Sequence, residues 1–246
     1  MNRLRDVISI KENKLNYKTF YLSFIGVPIM TTFPGSPRLL KGGIVLMDPE
    51  TGSVQRIIAL QYNPDTLTRS LQPQAAGGEG GDRSEALRLK GPPVETIKLE
   101  AEIDAADQME FGDQDPTIEF GIHPQIAALE SMLYPASASL QENHDLAASG
   151  QLQIIPMESP LALFVWSKSR IVPVRITDLS VTEEAFDPNL NPLRAKVSLG
   201  MRVLSVTDLG FEHKGGSIYM TYQKEKERLA SLSHSGTLSS FGITGV

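Results

Sequence analysis

Between residues 94 and 104 the chain alternates, with Ile97, Leu99, Ala101 and Ile103 apolar and Thr96, Lys98, Glu100 and Glu102 polar. A period of two sends one set to a buried sheet face and the other to water, so this segment predicts a half-buried β-strand. Residues 194–207 repeat the pattern, with Ala195, Val197, Leu199, Met201 and Val203 set against Arg194, Lys196, Ser198, Gly200 and Arg202. Apolar runs predict further strands at 43–48, 53–62, 161–167 and 171–182. Pro49 to Gly52 is a turn that joins the first two into a hairpin.

Asn63, Pro64 and Asp65 then break the ladder, because proline donates no backbone hydrogen bond and Asn and Asp bond their own backbone in turns. A weaker strand follows, with Leu67 and Leu71 among Thr66, Thr68 and Ser70, and it fades at Pro73. The glycine-rich, charged stretch 75–93 is too long for a casual turn. Loops above about 12 to 15 residues are usually functional or disordered. An acidic loop, AADQMEFGDQDP, leads to one central helix, read from Ile122, Ile126, Leu129 and Leu133 with Pro124 in its first turn and Pro135 closing it. Residues 135–150 read as a loop, and EEAFDPNLNPLR as a proline-bearing connection whose Asp187-Pro188-Asn189 echoes the earlier corner. Ser217 to Leu232 predicts an amphipathic helix with Ile218, Tyr222 and Leu229 on one side, before a Ser/Gly-rich tail expected to be mobile.

This gives six to seven antiparallel strands, one central helix and one terminal helix, a mainly β chain with minor α. No linker divides the set. The expected organisation is a segment 1–29, a β domain over 30–208 and a C-terminal helix and tail over 209–246. The first 29 residues differ in composition from the Gly-, Pro-, Leu- and Asp-rich sequence after Met30; they are either an added arm or upstream sequence ahead of the natural start.

At 246 residues and 41% hydrophobic content the chain can bury a sizeable core. Its net charge of -6 argues against general binding to nucleic acid or anionic membranes, which needs a basic surplus. Cysteine is absent, which removes disulfides, thiolate metal sites and a cysteine nucleophile. The apolar run from Phe20 to Met30 is too short to span a bilayer, and no cleavage pattern suggests a signal peptide.

Catalytic chemistry finds no positive support. His123, His144, His213 and His234 lack the paired spacing of a zinc helix. Asp104, Asp107, Glu110, Asp113 and Asp115 do not follow a calcium-loop pattern and read as a solvated acidic loop. GGEGGD is not followed by the Lys-Ser/Thr of a phosphate loop; there is no G-x-S-x-G elbow, and Ser167-Lys168-Ser169 lacks S-x-x-K spacing. Glu100 and Glu102 share a wet strand face, and Trp166 reads as packing. No enzyme activity, cofactor or metal is expected.

Two segments carry a resemblance. FPGSPRLLKGGIVLMDP at 33–49 and LQYNPDTLTRSLQPQ at 60–74 resemble the start of the tube-like baseplate proteins of contractile injection systems, the phage-tail-like particles of bacteria. In that family an Asn-Pro dipeptide follows an aromatic residue and precedes a hydroxyl-rich strand, as Tyr62-Asn63-Pro64 precedes Thr66, Thr68 and Ser70 here. Within that family the resemblance is to the tube initiator or inner-baseplate adaptor proteins, from which this chain departs in showing no LysM length or pattern after residue 208.

The resemblance implies a tail-tube fold, an antiparallel barrel or sandwich flanked by one helix, assembled as a ring expected to be a homohexamer. It implies the inner tube protein and the baseplate hub or spike as partners, with no nucleic acid and no membrane insertion. Assembly is expected in the cytoplasm and residence in the baseplate region of the particle. The candidate assembly interface is Asn63, Pro64, Thr66, Thr68, Arg69, Gln72, Gly78, Gly81, Arg83 and Arg88. The loop from Gln72 to Pro93 is expected to reach a neighbouring ring. Three function classes compete. They are a structural adaptor (or, within it, a tube protomer or end cap), a monomeric ligand-binding β-barrel, and a peptidoglycan hydrolase carried by the particle.

Overall fold

The computed structural model describes residues 40–75, 88–106, 116–150, 159–233 and 236–243. Residues 41–246 group as one compact unit, and the architecture below is that of this unit. Seven antiparallel strands form one sheet: β1 (Gly43–Met47), β2 (Val54–Ala59), β3 (Leu67–Gln72), β4 (Val94–Asp104), β5 (Leu161–Ser167), β6 (Arg170–Phe186) and β7 (Pro192–Val203). Their order is β2-β1-β5-β6-β7-β4-β3. The protein is mainly β, and the expected hairpin of β1 and β2 forms; β3 pairs with β4 across the long glycine-rich connection.

Register carries the core. Leu179, Leu199, Leu99 and Leu67 stand opposite one another across β6, β7, β4 and β3, and Ile176, Met201 and Ile97 form a second row. Residues of β1, such as Ile44 and Leu46, share a core with Ile97 and Leu99 of β4, although the two strands lie on opposite sides of the sheet centre. Gln61 and Asn63, two positions apart, bond Asp104 at the end of β4 and Gly42 at the start of β1, strands with three others between them in the sheet, so the sheet coils, as twisted strands do.

Five helices lie among the described residues: α1 (Pro116–Phe120), α2 (His123–Glu130), α3 (Ser137–Ala148), α4 (Val206–Leu209) and α5 (Lys214–Ser231). Helix α5 covers one end of the apolar sheet face with Tyr219 and Tyr222; α2 covers the other with Ile126 and Leu129, beside Ala195 and Val197 of β7. Two glycines open α5 because α4 lies against it. A methyl group on Gly216 would sit 1.8 Å from the Gly210 carbonyl oxygen, an impossible approach for any larger residue.

Several expectations are corrected. Residues 135–150 are not a loop but contain α3, which buries none of its side chains. Helix-favouring Ala, Leu, Gln and Glu build it without the core-facing stripe by which a helix announces itself. The central helix is therefore accompanied by α1 and α3, and it ends at Glu130, leaving Leu133 exposed. Strand β6 runs on to Phe186 instead of stopping at Thr182, taking in part of the expected connection. Strand β7 ends at Val203, because Ser205 caps α4: Ser205 and Asp208 form a reciprocal capping box. On α5 the buried side is Tyr219 and Tyr222, whereas Leu229 is exposed. The segment 1–29 lies outside the described residues. The tail after Ser233 contains a 3-10 turn over Leu238–Phe241.

Candidate assembly interface

The sheet stops at β2 and β3; among the described strands each is paired on one side only. Backbone donors and acceptors on the outer edge of such strands form a template for another strand. Strand β2 is exposed along nearly its whole length, Val54 and Ile57 included, and Leu71 of β3 is 47% exposed.

The corner between these edges is held from both sides. Asn63 Oδ1 accepts from the Gly42 backbone N–H at 2.8 Å, fixing the corner to the start of β1. The Gln61 amide bonds both backbone groups of Asp104 at the end of β4, donating to its carbonyl at 2.7 Å and accepting from its N–H at 2.9 Å. One side chain thus acts as a short piece of strand between the two arms of the coiled sheet. Pro64 is half-buried within the corner; Thr66, Thr68 and Gln72 are exposed along β3, and Arg88 is exposed before β4. Gly78, Gly81 and Arg83 lie outside the described residues.

Arg69 has a different environment from its hydroxyl neighbours. Its guanidinium lies 2.7 Å from Glu95 Oε1 and donates to the Tyr222 hydroxyl at 3.0 Å. Tyr222 donates to the same carboxylate at 3.0 Å, and Lys226 Nζ reaches its other oxygen at 2.9 Å while resting 4.0 Å from the centre of the Tyr222 ring. Glu95 is 3% exposed, on the apolar face of β4. Burial pushes its carboxyl up, but Lys226 and Arg69 outweigh that and hold it below the ordinary carboxylate range. Burial first, then the Glu95 charge, push the Tyr222 hydroxyl well above the ordinary phenol range, so it remains a donor. The cluster pins edge strand β3 and helix α5 to β4 through one carboxylate. No local pattern in the sequence joins Glu95, Tyr222 and Lys226. The legible signal was Glu95 itself, which falls on the apolar side of an otherwise clean alternation.

The opposite sheet face over β6, β7, β4 and β3 is polar. Cross-strand rows read Ser180–Ser198–Glu100 and Glu184–Arg194–Asp104, and Lys196 pairs with Glu184 at 3.2 Å. A depression of about 370 Å³ opens here between Tyr62, Glu102, Asp104, Glu184, Arg194 and Lys196. Asp104 is held below the usual range chiefly by the Ala106 backbone N–H, then by Arg194.

A second exposed feature is the β6–β7 tip. Asp187 Oδ1 accepts from the N–H groups of Asn189 and Asn191 at 2.7 and 2.8 Å, and Asn191 Nδ2 ties the turn to Glu119 of α1 at 3.0 Å. Within this rigid turn Leu190 takes φ 65 and is 77% exposed. A left-handed conformation costs a side chain other than glycine about 1–2 kcal/mol, and here the leucine is left largely exposed among the described residues.

No protein-family model matches the chain, and no curated protein matches it. Two solved structures are similar in part. One is a chain in the tail of an empty gene transfer agent particle with C6 symmetry, at 13% identity over 66% of this chain and 90% of that one, with a TM-score of 0.26. The other is a chain in the virion of a native gene transfer agent particle, at 14% identity over 68% of this chain and 95% of that one, with a TM-score of 0.25. At those scores the shared geometry is slight.

Proposed function

We propose that this chain is a structural component of a phage-tail-like contractile injection system, a tube-like ring that links the inner tube to the baseplate hub. The observation that carries the reading is the pair of one-sided strands at the two margins of a single sheet. Copies that set β2 of one beside β3 of the next complete each other's hydrogen bonding, and a closed ring of such contacts leaves no edge open. The polar face of β6, β7, β4 and β3 then lines a wet channel, and the helices lie on the opposite face, outward. The sequence resemblance over 33–74 supports the same reading, and the helix and tail beyond Val203 favour an adaptor over a minimal tube protomer or end cap. No catalytic step is assigned to the chain.

The wild-type protein has no cysteine, so edge pairing is testable by cross-linking. A Gln55→Cys, Ser70→Cys double variant carries one thiol on β2 and one on β3. A short bis-maleimide is expected to give a ladder of covalent multimers. Monomer alone, at concentrations where the protein is soluble and folded, would exclude the arrangement and favour a self-contained barrel.

A further inference from the structure

The polar face of β6, β7, β4 and β3 changes sign along its length. Register orders it in cross-strand rows: Glu184–Arg194–Asp104, then Thr182–Lys196–Glu102, Ser180–Ser198–Glu100, and Asp178–Gly200–Lys98–Thr68. Each of these contains at least one carboxylate. The last row is Arg175–Arg202–Thr96–Ser70, two guanidinium groups and two hydroxyls with no carboxylate among them. Every side chain in it can donate a hydrogen bond, and neither charge is balanced within the row.

Paired strands lie about 5 Å apart, so Arg175 and Arg202, directly opposite on one face, repel each other. Asp208 offsets only the second. Its Oδ1 accepts from Arg202 at 2.7 Å, while its Oδ2 is taken by the backbone N–H and hydroxyl of Ser205 at 2.8 and 3.1 Å. The carboxylate therefore fixes the Arg202 guanidinium by one contact, and a guanidinium has several further N–H donors. Arg175 is exposed and has no ion-pair partner among the described residues. Lys90 lies at the same corner: it precedes Gly91, where a methyl group would sit 3.6 Å from Thr207 Oγ1, next in sequence to Asp208. Lys90 too is exposed and without an ion-pair partner among the described residues.

We propose that this row is a binding site for a compact phosphate group, a polyphosphate or the terminal phosphates of a nucleotide, held by Arg175 and Arg202 with Thr96 beside them and Lys90 at the rim. Two forked guanidinium groups and a hydroxyl ask for more acceptors than the two oxygens of one carboxylate, and phosphate supplies them. The rest of the face sets the size of the ligand. An extended polyanion lying along the strands would pass Glu100, Glu102, Asp104 and Glu184, which repel it, so only an anion confined to the end row is accepted. The site lies on a sheet face of one chain and does not depend on the hydrogen-bonding edges of β2 and β3. In the ring reading it recurs once per copy at one mouth of the channel.

The test is isothermal titration of the purified full chain with inorganic tripolyphosphate at about 0.05 M salt, where exposed charges are little screened. Wild type is expected to bind one tripolyphosphate per chain, and to bind citrate and a short single-stranded oligonucleotide more weakly. Arg175→Gln should weaken tripolyphosphate binding about tenfold or more and leave the ligand-free thermal midpoint unchanged or higher, because it removes a like-charge contact. Thr96→Val, which deletes one donor and keeps the shape, should weaken binding several-fold. Lys224→Gln makes the same change of charge on an exposed position of α5 and should leave binding as in wild type. The inference is overturned if wild type binds no tripolyphosphate at low salt, or if Lys224→Gln weakens binding as much as Arg175→Gln. It is overturned equally by a lowered midpoint in Arg175→Gln, or by citrate or the oligonucleotide binding as tightly as tripolyphosphate. Solution mass reads the ring separately: one ligand per chain of a 26.9 kDa monomer keeps the site and rejects the ring, and a closed multimer without binding does the reverse.

Discussion

The Tyr222 hydroxyl donates to Glu95 at 3.0 Å, and the residues it joins are separated by 127 positions in the chain. Helix α5, far along the sequence, is thereby fastened to β4 beside the edge strand β3. Because Arg69 of β3 and Lys226 of α5 share the same carboxylate, three elements are held by one group.

Glu95→Gln is the direct probe of that pin. It removes the charge and leaves Arg69 and Lys226 facing a neutral amide. Both cations are about a quarter exposed and can turn toward water, so the loss should fall below that of a fully buried pair, at about 2 kcal/mol. Urea denaturation measures it, and hydrogen exchange should quicken in β3 and α5 before the rest of the sheet. An unchanged midpoint would show that the carboxylate does not couple them.

The same group sets an acid limit. The Glu95 carboxyl is held below its ordinary value in the fold, so its stabilisation is complete above the ordinary value of 4.5 and is lost as pH falls through the lowered one. Asp208, also lowered despite burial, acts in the same direction. Stability measured between about pH 6 and about pH 3 should fall for wild type and fall less steeply for Glu95→Gln.

Gln61→Ala tests the clasp between the two arms of the coiled sheet. Two backbone groups of Asp104 lose their partner, at a cost of about 1–2 kcal/mol. Faster exchange of the Asp104 amide, with the β1–β5 region undisturbed, is the expected signature.

Leu190→Asn should raise the stability of the isolated chain by up to about 1 kcal/mol, because Asn tolerates the left-handed conformation that leucine resists. A drop in the thermal midpoint would mean that Leu190 packs against its own chain in solution.

The strands were legible because their side chains obey one rule. Ile97, Leu99, Ala101 and Ile103 are buried and the residues between them are wet, so period and burial coincide in β4 and β7. Helix α3 was illegible for the complementary reason: with no buried face it imposes no apolar period. In β6 the acidic run at Glu183 and Glu184 resembled a connection, and beyond Val181 no residue of the strand is buried, so no apolar alternation marks its end. Of the site, the Asn63 corner could be read from turn chemistry, and its bond to Gly42 gives it a second task. Arg69 stood among hydroxyl residues in sequence, but register sets it opposite Ile97, facing Glu95 and Tyr222. Such pairings depend on register and on a helix far along the chain, which local patterns do not carry.

The measurement that bears most directly on the central claim is the mass of the purified chain in solution. Strands β2 and β3 that complete each other between copies predict a discrete closed multiple of the 26.9 kDa protomer, six copies for the ring implied by the resemblance, persisting at high salt. A species of 26.9 kDa at every concentration, with the β2 and β3 edge amides protected from exchange, would contradict it.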